Sequence, residues 1–225
     1  TCGSIDKSGV GWTWYTDESY NGTLTLNGYD GEEIAIGGVD NGKVDIVLVG
    51  DNKITVTAPY GNRAIHTYNV STLTFRGNGS LTIDYQVVAS NQVYMHGILM
   101  EGESSSKNNG NLTFDESCTV TVKVYGEVAE NNGSVDAIYM KTDDIGSGNG
   151  NVTAGENATL NIDLKCDKDY QTYGIFAKGS IALNGTVDIK MEYTGSGSTY
   201  DTWRDVNTSS SYTACSIGKN ATITS

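Results

Sequence analysis

The sequence predicts an all-β protein that folds as a right-handed, single-stranded parallel β-helix, a β-solenoid of about six to seven three-strand coils. Three observations lead to this fold. Glycine occurs 28 times and proline once, and long runs of the strong helix formers are missing. Segments 110–124 (GNLTFDESCTVTVKV) and 150–164 (GNVTAGENATLNIDL) place apolar, polar and small residues in the same slots, although few letters agree. A short third apolar element follows each segment of this kind.

Each copy of the repeat contains two predicted strands. Apolar residues alternate with polar ones in both, which is the period of a strand that buries one face. Turns such as Gly77-Asn78-Gly79 or Asn184-Gly185 separate the two strands. The apolar slots hold Leu73, Phe75, Gly79, Leu81 and Ile83 in 71–85; Leu112, Phe114, Cys118, Val120 and Val122 in 110–124; Val152, Ala154, Ala158, Leu160 and Ile162 in 150–164; Ile46, Leu48, Ile54 and Val56 in 44–58; and Ile181, Leu183, Val187 and Ile189 in 180–191.

The third element begins with a small residue and points an apolar residue inward. Its predicted copies are AIHTY (64–68), GILMEG (97–102), AIYMKT (137–142), GIFAKG (174–179) and ACSIGK (214–219). A sandwich would not impose one order of strand, short turn, strand, loop and strand along the whole chain. Stacked coils impose it, because each coil must point residues inward above those of the coil before it. Right-handed winding follows from the general preference of parallel crossovers.

The N-terminal segment is predicted to cap the stack. Trp12 and Trp14 share one face of a strand, and Asn21-Gly22 turns the chain into the first coil. We therefore divide the chain into a cap hairpin at 1–21 and a β-helix at 22–225, and we expect the β-helix to continue beyond the C-terminus. The alternative role for Trp12 or Trp14 is a sugar-stacking platform.

Charge and cysteine content narrow the class of protein. The net charge is −13, from 14 Lys plus Arg against 27 Asp plus Glu, which argues against nucleic-acid binding. It leaves Ca²⁺ as the cofactor to consider, because calcium prefers oxygen ligands. The chain has no apolar run of membrane-spanning length, so no membrane insertion is expected. Cys2, Cys118, Cys166 and Cys215 form no zinc motif, and buried free thiols are favoured over disulfides.

One stretch resembles a known group of proteins. The segment GWTWYTDESYNGTLTLNGYDGEEI, with DIVLVGDNKIT and LTFRGNGSLTI after it, is similar to β-helical repeat domains of secreted or wall-anchored surface proteins from Gram-positive gut bacteria. Those domains resemble the pectate-lyase-like and carbohydrate-binding β-helices. The resemblance implies an extracellular or cell-surface location and transfers no catalytic residue.

Candidate catalytic and metal residues are few. His66 and His96 stand near third elements one coil apart, where they could line up in space, but the sequence shows no nucleophile beside them, and surface ladder positions are favoured. Asp143 and Asp144 form a weak candidate metal site in a Gly/Ser-rich loop, with a solvated turn as the alternative.

The candidate ligand site lies in the predicted loops. Segments 86–96, 126–136 and 192–213 are expected to leave the same corner of successive coils and to form a groove. The aromatic and guanidinium groups that could stack on sugar rings and bind hydroxyls belong to Tyr193, Tyr200, Trp203, Arg204 and Tyr212.

These observations predict a non-catalytic extracellular module of a bacterial surface protein. It would be adhesive, binding a polysaccharide or host glycan, or it would act as a spacer, and we expect a monomeric module of a larger protein. The alternative is a Ca²⁺-dependent polysaccharide lyase or a related carbohydrate-active enzyme. Ice binding by Thr-rich strands is disfavoured, because Asp84, Lys123, Asp163 and Lys190 interrupt the Thr face.

Overall fold

The computed structural model describes residues 7–37, 42–57, 63–89, 94–102, 110–128, 134–142, 150–166, 172–177, 179–193, 203–208, 215–217 and 221–224. At 87–89, 127–128, 141–142, 193 and from 203 onward, the description is of the backbone alone. Across these ranges every regular element is a strand. The described part of the chain therefore holds no helix long and apolar enough to cross a membrane.

Twenty-two strands form three sheets in this part of the chain. The first sheet contains, in spatial order, β1 (Lys7–Gly9), β2 (Trp12–Thr16), β3 (Gly22–Asn27), β6 (Lys43–Val49), β9 (Thr72–Gly77), β12 (Asn111–Phe114), β15 (Val152–Ala154), β18 (Ile181–Leu183) and β21 (Cys215–Ile217). The second contains β4 (Asp30–Gly31), β7 (Asp51–Val56), β10 (Ser80–Ala89), β13 (Thr119–Val128), β16 (Thr159–Cys166), β19 (Thr186–Tyr193) and β22 (Ala221–Thr224). The third contains β5 (Ile34–Ile36), β8 (Arg63–Tyr68), β11 (Tyr94–Gly102), β14 (Ser134–Thr142), β17 (Thr172–Ala177) and β20 (Trp203–Thr208).

The chain visits the three sheets in turn, and each strand from β3 onward pairs in parallel with its counterparts in the coils on either side. Six complete coils, from β3–β4–β5 to β18–β19–β20, are followed by the two described strands of a seventh, β21 and β22. The predicted parallel β-helix and its number of coils are confirmed. Its right-handed winding stays a prediction.

The core is a set of columns of apolar residues that point inward from neighbouring coils. Leu73, Leu112 and Val152 are direct register partners on β9, β12 and β15, and all three are fully buried. Phe75 and Phe114 stack in the next column, with ring centroids 5.3 Å apart. Predicted inward residues thus share one interior, and burying each Leu or Phe contributes about 1.5–3 kcal/mol of hydrophobic free energy.

In the second coil, the observed register differs by two residues from the repeat alignment predicted from the sequence. The sequence alignment placed Ile46 and Leu48 in the slots of Leu73 and Phe75, whereas the register pairs Val44 with Leu73 and Ile46 with Phe75. An alternating pattern determines which face a residue occupies, but a shift by two keeps that face and moves only the register.

Asn52 consequently occupies the inward slot that Leu81 fills in the next coil. Its side chain is 4% exposed, its Oδ1 accepts a hydrogen bond from Tyr29 N at 2.9 Å, and its Nδ2 donates to Ser80 O at 3.0 Å. A buried amide is tolerated when its donors and acceptors are satisfied. The Asn52 amide therefore connects three successive coils by hydrogen bonds.

The predicted third element at 214–219 is also corrected. Cys215–Ile217 is β21 of the first sheet, where Cys215 pairs with Ile181, and the third strand of the sixth coil is Trp203–Thr208. In that strand Val206 pairs with Ile175, but Asp205 replaces the small residue that begins the other copies, so the pattern missed it.

The described parts of the segments predicted as long loops are strands. Strand β10 extends to Ala89 and β11 begins at Tyr94, so 86–96 is strand except around 90–93, which lies outside the described residues. Likewise β13 and β14 take up most of 126–136, and β20 lies within 192–213. The apolar alternation continues past the last predicted apolar slots, Ile83 and Val122, through Tyr85 in β10 and Val124 in β13.

Gly77 shows why the turn between the first two strands of a coil needs glycine. Its φ is +102°, and a Cβ there would lie 2.5 Å from Leu48 O of the coil below. Neighbouring coils are too close at this corner for any side chain at that position.

The N-terminal strands cover the first coil. In the described residues, antiparallel pairing occurs at β1–β2 and β2–β3, where Trp12 faces Leu26 and Trp14 faces Leu24. Both indoles pack against the core, and the ring of Trp14 lies over the backbone of Gly22. The Trp residues therefore form the predicted cap hairpin, while their alternative role as a sugar-stacking platform stays a prediction. The domain boundary at residue 21 stays a prediction.

Cys118 and Cys166 are buried thiols outside any disulfide, as predicted. Burial raises the pKa of the Cys118 thiol to about 11, so it behaves as a small apolar side chain at the position of Gly79 and Ala158. Cys2 and the side chain of Cys215 lie outside the described residues.

Candidate functional site

The two histidines lie on adjacent strands of the third sheet but do not face each other. His96 on β11 is the register partner of Arg63 on β8, and His66 is the partner of Leu99. The two imidazoles thus occupy different columns, and the expectation that they line up is wrong. Each histidine instead meets a carboxylate.

His66 and Arg63 both contact the carboxylate of Glu101. His66 Nε2 lies 2.7 Å from Glu101 Oε2, and Arg63 Nη2 lies 3.7 Å from the same oxygen. The side chains of His66 and Glu101 are 19% and 15% exposed. The group joins strands β8 and β11 and keeps a small opening to solvent.

His96 and Asp136 form a buried pair between the adjacent strands β11 and β14, where they are register partners. His96 Nδ1 lies 3.0 Å from Asp136 Oδ2, without the alignment of a hydrogen bond. His96 is 5% exposed and Asp136 is fully buried. Asp136 Oδ1 also accepts a hydrogen bond from Tyr173 N at 3.0 Å. The pair therefore connects β11, β14 and β17, and the prediction of surface positions is wrong for His96.

Burial raises the pKa of the Asp136 carboxyl, and the nearby His96 and the hydrogen bond from Tyr173 N only partly offset this. A raised pKa means that the fold favours the protonated acid. The pair has the chemistry of an acid–base couple, but its burial separates it from any substrate in solution.

Aromatic rings stack beside this pair along the third sheet. The imidazole of His96 stacks on Tyr139 with ring centroids 5.1 Å apart, and Tyr139 stacks on Phe176 at 4.9 Å. Tyr173 packs against Phe176 at 4.9 Å and is 8% exposed. These rings form a column that crosses three coils on the outer side of the sheet.

The predicted ligand residues are only partly described. Trp203 and Arg204 lie on β20, in register with Thr172 and Tyr173, and so on a strand rather than a loop. Tyr193 ends β19 in the second sheet, where it pairs with Cys166. Tyr200 and Tyr212 lie outside the described residues, as do the side chains of the other three.

The predicted metal pair, Asp143 and Asp144, also lies outside the described residues. In the part of the chain that the structure describes, there is no group of three or more His, Cys, Asp or Glu side chains arranged to hold a metal ion.

The outer face of the second sheet carries a different kind of chemistry. Lys165 Nζ lies 3.0 Å from Glu192 Oε1, and Tyr125 donates a hydrogen bond from its hydroxyl to Asp163 Oδ2 at 2.8 Å. Partial burial and the Asp163 carboxylate raise the pKa of Tyr125 to about 12. Polar groups here contact their neighbours in the next coil while staying open to water.

Sequence reasoning missed Asp136 and Glu101, and for Asp136 a signal was present. The third elements were aligned from their small residue onward. One residue further back, the register gives Arg63, His96, Asp136 and Tyr173 in a single column. Extending the alignment by that residue would have shown charged and aromatic groups stacked in successive coils.

Comparison of the chain with protein-family models, with curated proteins and with solved structures finds no significant match.

Proposed function

We propose that this chain is a non-catalytic β-solenoid module of a bacterial extracellular surface protein, and that its coils act as a rigid spacer. The observation that carries this is the pairing of outward polar side chains with one another from coil to coil. Arg76 Nε lies 2.9 Å from Asp45 Oδ2 on the first sheet, and Lys165 pairs with Glu192 on the second. Side-chain pairs that connect neighbouring coils stabilise the stack along its length.

The histidine pairs support the same function. A general acid or base must come within hydrogen-bonding reach of its substrate. Asp136 is fully buried and His96 nearly so, and both are engaged by neighbouring strands. These residue types would serve catalysis on an open surface; here they join coils.

Glycan binding is the second candidate, favoured by the position of β20. Trp203 and Arg204 follow Thr172 and Tyr173 in register, one coil beyond the aromatic column of the third sheet. Arg204 thus continues the register of the ring residue Tyr173, whereas Trp203 continues that of Thr172. An indole and a guanidinium are residue types that bind sugars by stacking and hydrogen bonding. The extracellular location rests on the resemblance of the sequence to bacterial surface domains.

The test combines turnover with retention. The chain is incubated with acidic polysaccharides with and without Ca²⁺, unsaturated products are followed by absorbance, and retention is measured on a glycan array. A spacer gives neither signal. A glycan binder is retained, and loses retention in Trp203→Ala but not in the matched control Tyr20→Ala, which removes an exposed aromatic of the cap. Calcium-dependent release of unsaturated product would overturn the proposal in both forms.

A further inference from the structure

The outer face of the second sheet differs in charge from the rest of the chain. Among the side chains that the structure describes, its outward residues on β7, β10, β13, β16 and β19 include five carboxylates and four lysines, whereas the whole chain carries −13. We call this surface the second-sheet face. A nearly neutral face on a strongly acidic protein is a surface on which two copies could approach without strong repulsion.

One column of the second-sheet face alternates in sign. The register partners on β10, β13, β16 and β19 are Asp84, Lys123, Asp163 and Lys190. Successive coils are separated by about 4.8 Å, so the charges form a regular row. All four side chains are partly or fully exposed.

An alternating row with an even number of members is complementary to its own reversed copy. A two-fold axis parallel to the strands, midway between β13 and β16, places β13 opposite the partner's β16 and β10 opposite its β19. Lys123 of one copy then faces Asp163 of the other, and Asp84 faces Lys190. A two-fold axis that runs along the rod through this column would instead place each residue opposite the same residue of the other copy.

The neighbouring columns accept the same arrangement. Tyr125 would face Lys165 and Gln86 would face Glu192, by the registers of β10, β13, β16 and β19. In the column on the other side, Thr121 would face Asn161 and Thr82 would face Asp188, with the same axis. Among the described side chains of these columns, no two like charges oppose each other.

We propose that the second-sheet face is an interface for a second copy of this chain, packed face to face with its rod axis reversed. This departs from the monomer that the sequence predicts. Four coils at ~4.8 Å and seven strand residues at ~3.3 Å give a patch of roughly 20 by 20 Å per partner. That is about half the area of a standard interface, and its centre is polar, so the dimer is weak and rapidly exchanging.

Salt should affect the dimer in both directions. At about 0.1 M salt the Debye length of ~10 Å screens repulsion between the two acidic chains more than it weakens close ion pairs. At about 1 M salt the ion pairs are screened as well. Association measured by sedimentation equilibrium at millimolar chain concentration is therefore expected to be strongest at intermediate salt.

The alternating charges of this row could instead stabilise only the stacking of coils within one chain. The deciding variant reverses the whole row, Asp84→Lys, Lys123→Asp, Asp163→Lys and Lys190→Asp. It keeps alternating neighbours within the chain and keeps self-complementarity between chains. We expect this variant to dimerise with itself as the wild type does, but not with the wild type, because the mixed pair would oppose like charges.

A second set of variants isolates the contact between chains. Lys123→Glu/Lys190→Glu makes the row negative and Asp84→Lys/Asp163→Lys makes it positive. Each is expected to be monomeric alone, and their equimolar mixture to dimerise. Lys7→Glu/Lys43→Glu changes the net charge by the same amount as Lys123→Glu/Lys190→Glu, but on exposed positions of the first sheet, and should leave association unchanged. Far-UV circular dichroism and cooperative unfolding confirm that each variant folds.

A wild type that stays monomeric at millimolar concentration and about 0.1 M salt would overturn the proposal. A reversed variant that associates equally with itself and with the wild type would also overturn it.

Discussion

The second and third sheets belong to the same coils, yet their outer faces differ. On the second sheet, charged residues alternate along a row that is open to water, and in the adjacent column Lys165 and Glu192 form an exposed pair at 3.0 Å. On the third sheet, His96 and Asp136 are buried beside a column of stacked rings. Outward positions of a β-helix are therefore not equivalent, and an outward charge can be structural on one side and available for contact on another.

The difference follows from solvation. A charge in water loses little by having no partner, and an exposed ion pair contributes little. A buried carboxylate depends on its partners, because an unpaired buried charge is strongly destabilising. The same type of residue should then have effects of very different size on the two faces.

The largest effect is expected from Asp136→Ala. The change removes the acceptor of Tyr173 N and the partner of His96, and leaves both groups buried. We expect the free energy of unfolding to fall by about 3 kcal/mol, measured by urea denaturation. Asp188→Ala, on the exposed second-sheet face, is the matched control and should change it by less than about 0.5 kcal/mol. Equal effects at the two positions would remove the distinction between the faces.

The pH dependence of Asp136 has a definite sign. Because burial raises its folded pKa above the ordinary 3.8, the folded state holds its proton more tightly than the unfolded state does. Its contribution to stability is fully present below pH 3.8 and is lost as the pH rises through the folded pKa. Asp136→Asn lacks this titration, so the stability of the wild type relative to the variant should decline as pH rises from about 4. A relative stability that increases with pH would show that the carboxylate form is the one that the fold favours.

A smaller effect is expected from the ion pair of the second-sheet face. A double-mutant cycle of Lys165→Ala and Glu192→Ala should give a coupling energy that is small and decreases in high salt, because both side chains are open to water. Chemical denaturation in low and high salt measures it. A coupling that is unchanged by salt and as large as the loss from Asp136→Ala would place this pair in the same class as the buried one.

The smallest of these effects is expected to be a change in the pKa of the Tyr125 hydroxyl. Asp163→Asn removes the carboxylate that accepts its hydroxyl hydrogen bond, so the Tyr125 pKa should fall from about 12 toward its ordinary 10.0. Ultraviolet difference titration against Tyr125→Phe isolates this group among the other tyrosines. An unchanged titration would mean that burial alone sets the pKa.

Sequence alone predicted the stacking of coils because that depends on inward apolar residues. Leu73, Leu112 and Val152 recur with a fixed neighbour pattern, and burial leaves few alternatives. The register of the strands was harder to predict where the apolar alternation continues without a residue that marks the position. The predicted slot of Ile46, for example, was wrong by two residues. The sixth third strand was missed because Asp205 occupies the slot where small residues begin the other copies.

The outer faces could be predicted only in part. The alternating residues Asp84, Lys123, Asp163 and Lys190 were visible as interruptions of a Thr ladder, but their shared column depends on the register. The burial of His96 could not be read from its neighbours in sequence. It depends on the rings that stack beside it from β14 and β17, brought together by the third sheet.

In-register stacking of coils is tested most directly by cysteine cross-linking across the second-sheet face. Thr82 and Thr121 are register partners on β10 and β13, and parallel neighbours lie within the Cα separation that a disulfide spans. Thr82→Cys/Thr121→Cys is expected to cross-link rapidly within one chain under mild oxidation. Thr82→Cys/Asn161→Cys, two coils apart at about 10 Å, should not. Cross-linking of the second pair but not the first would contradict the stacked register.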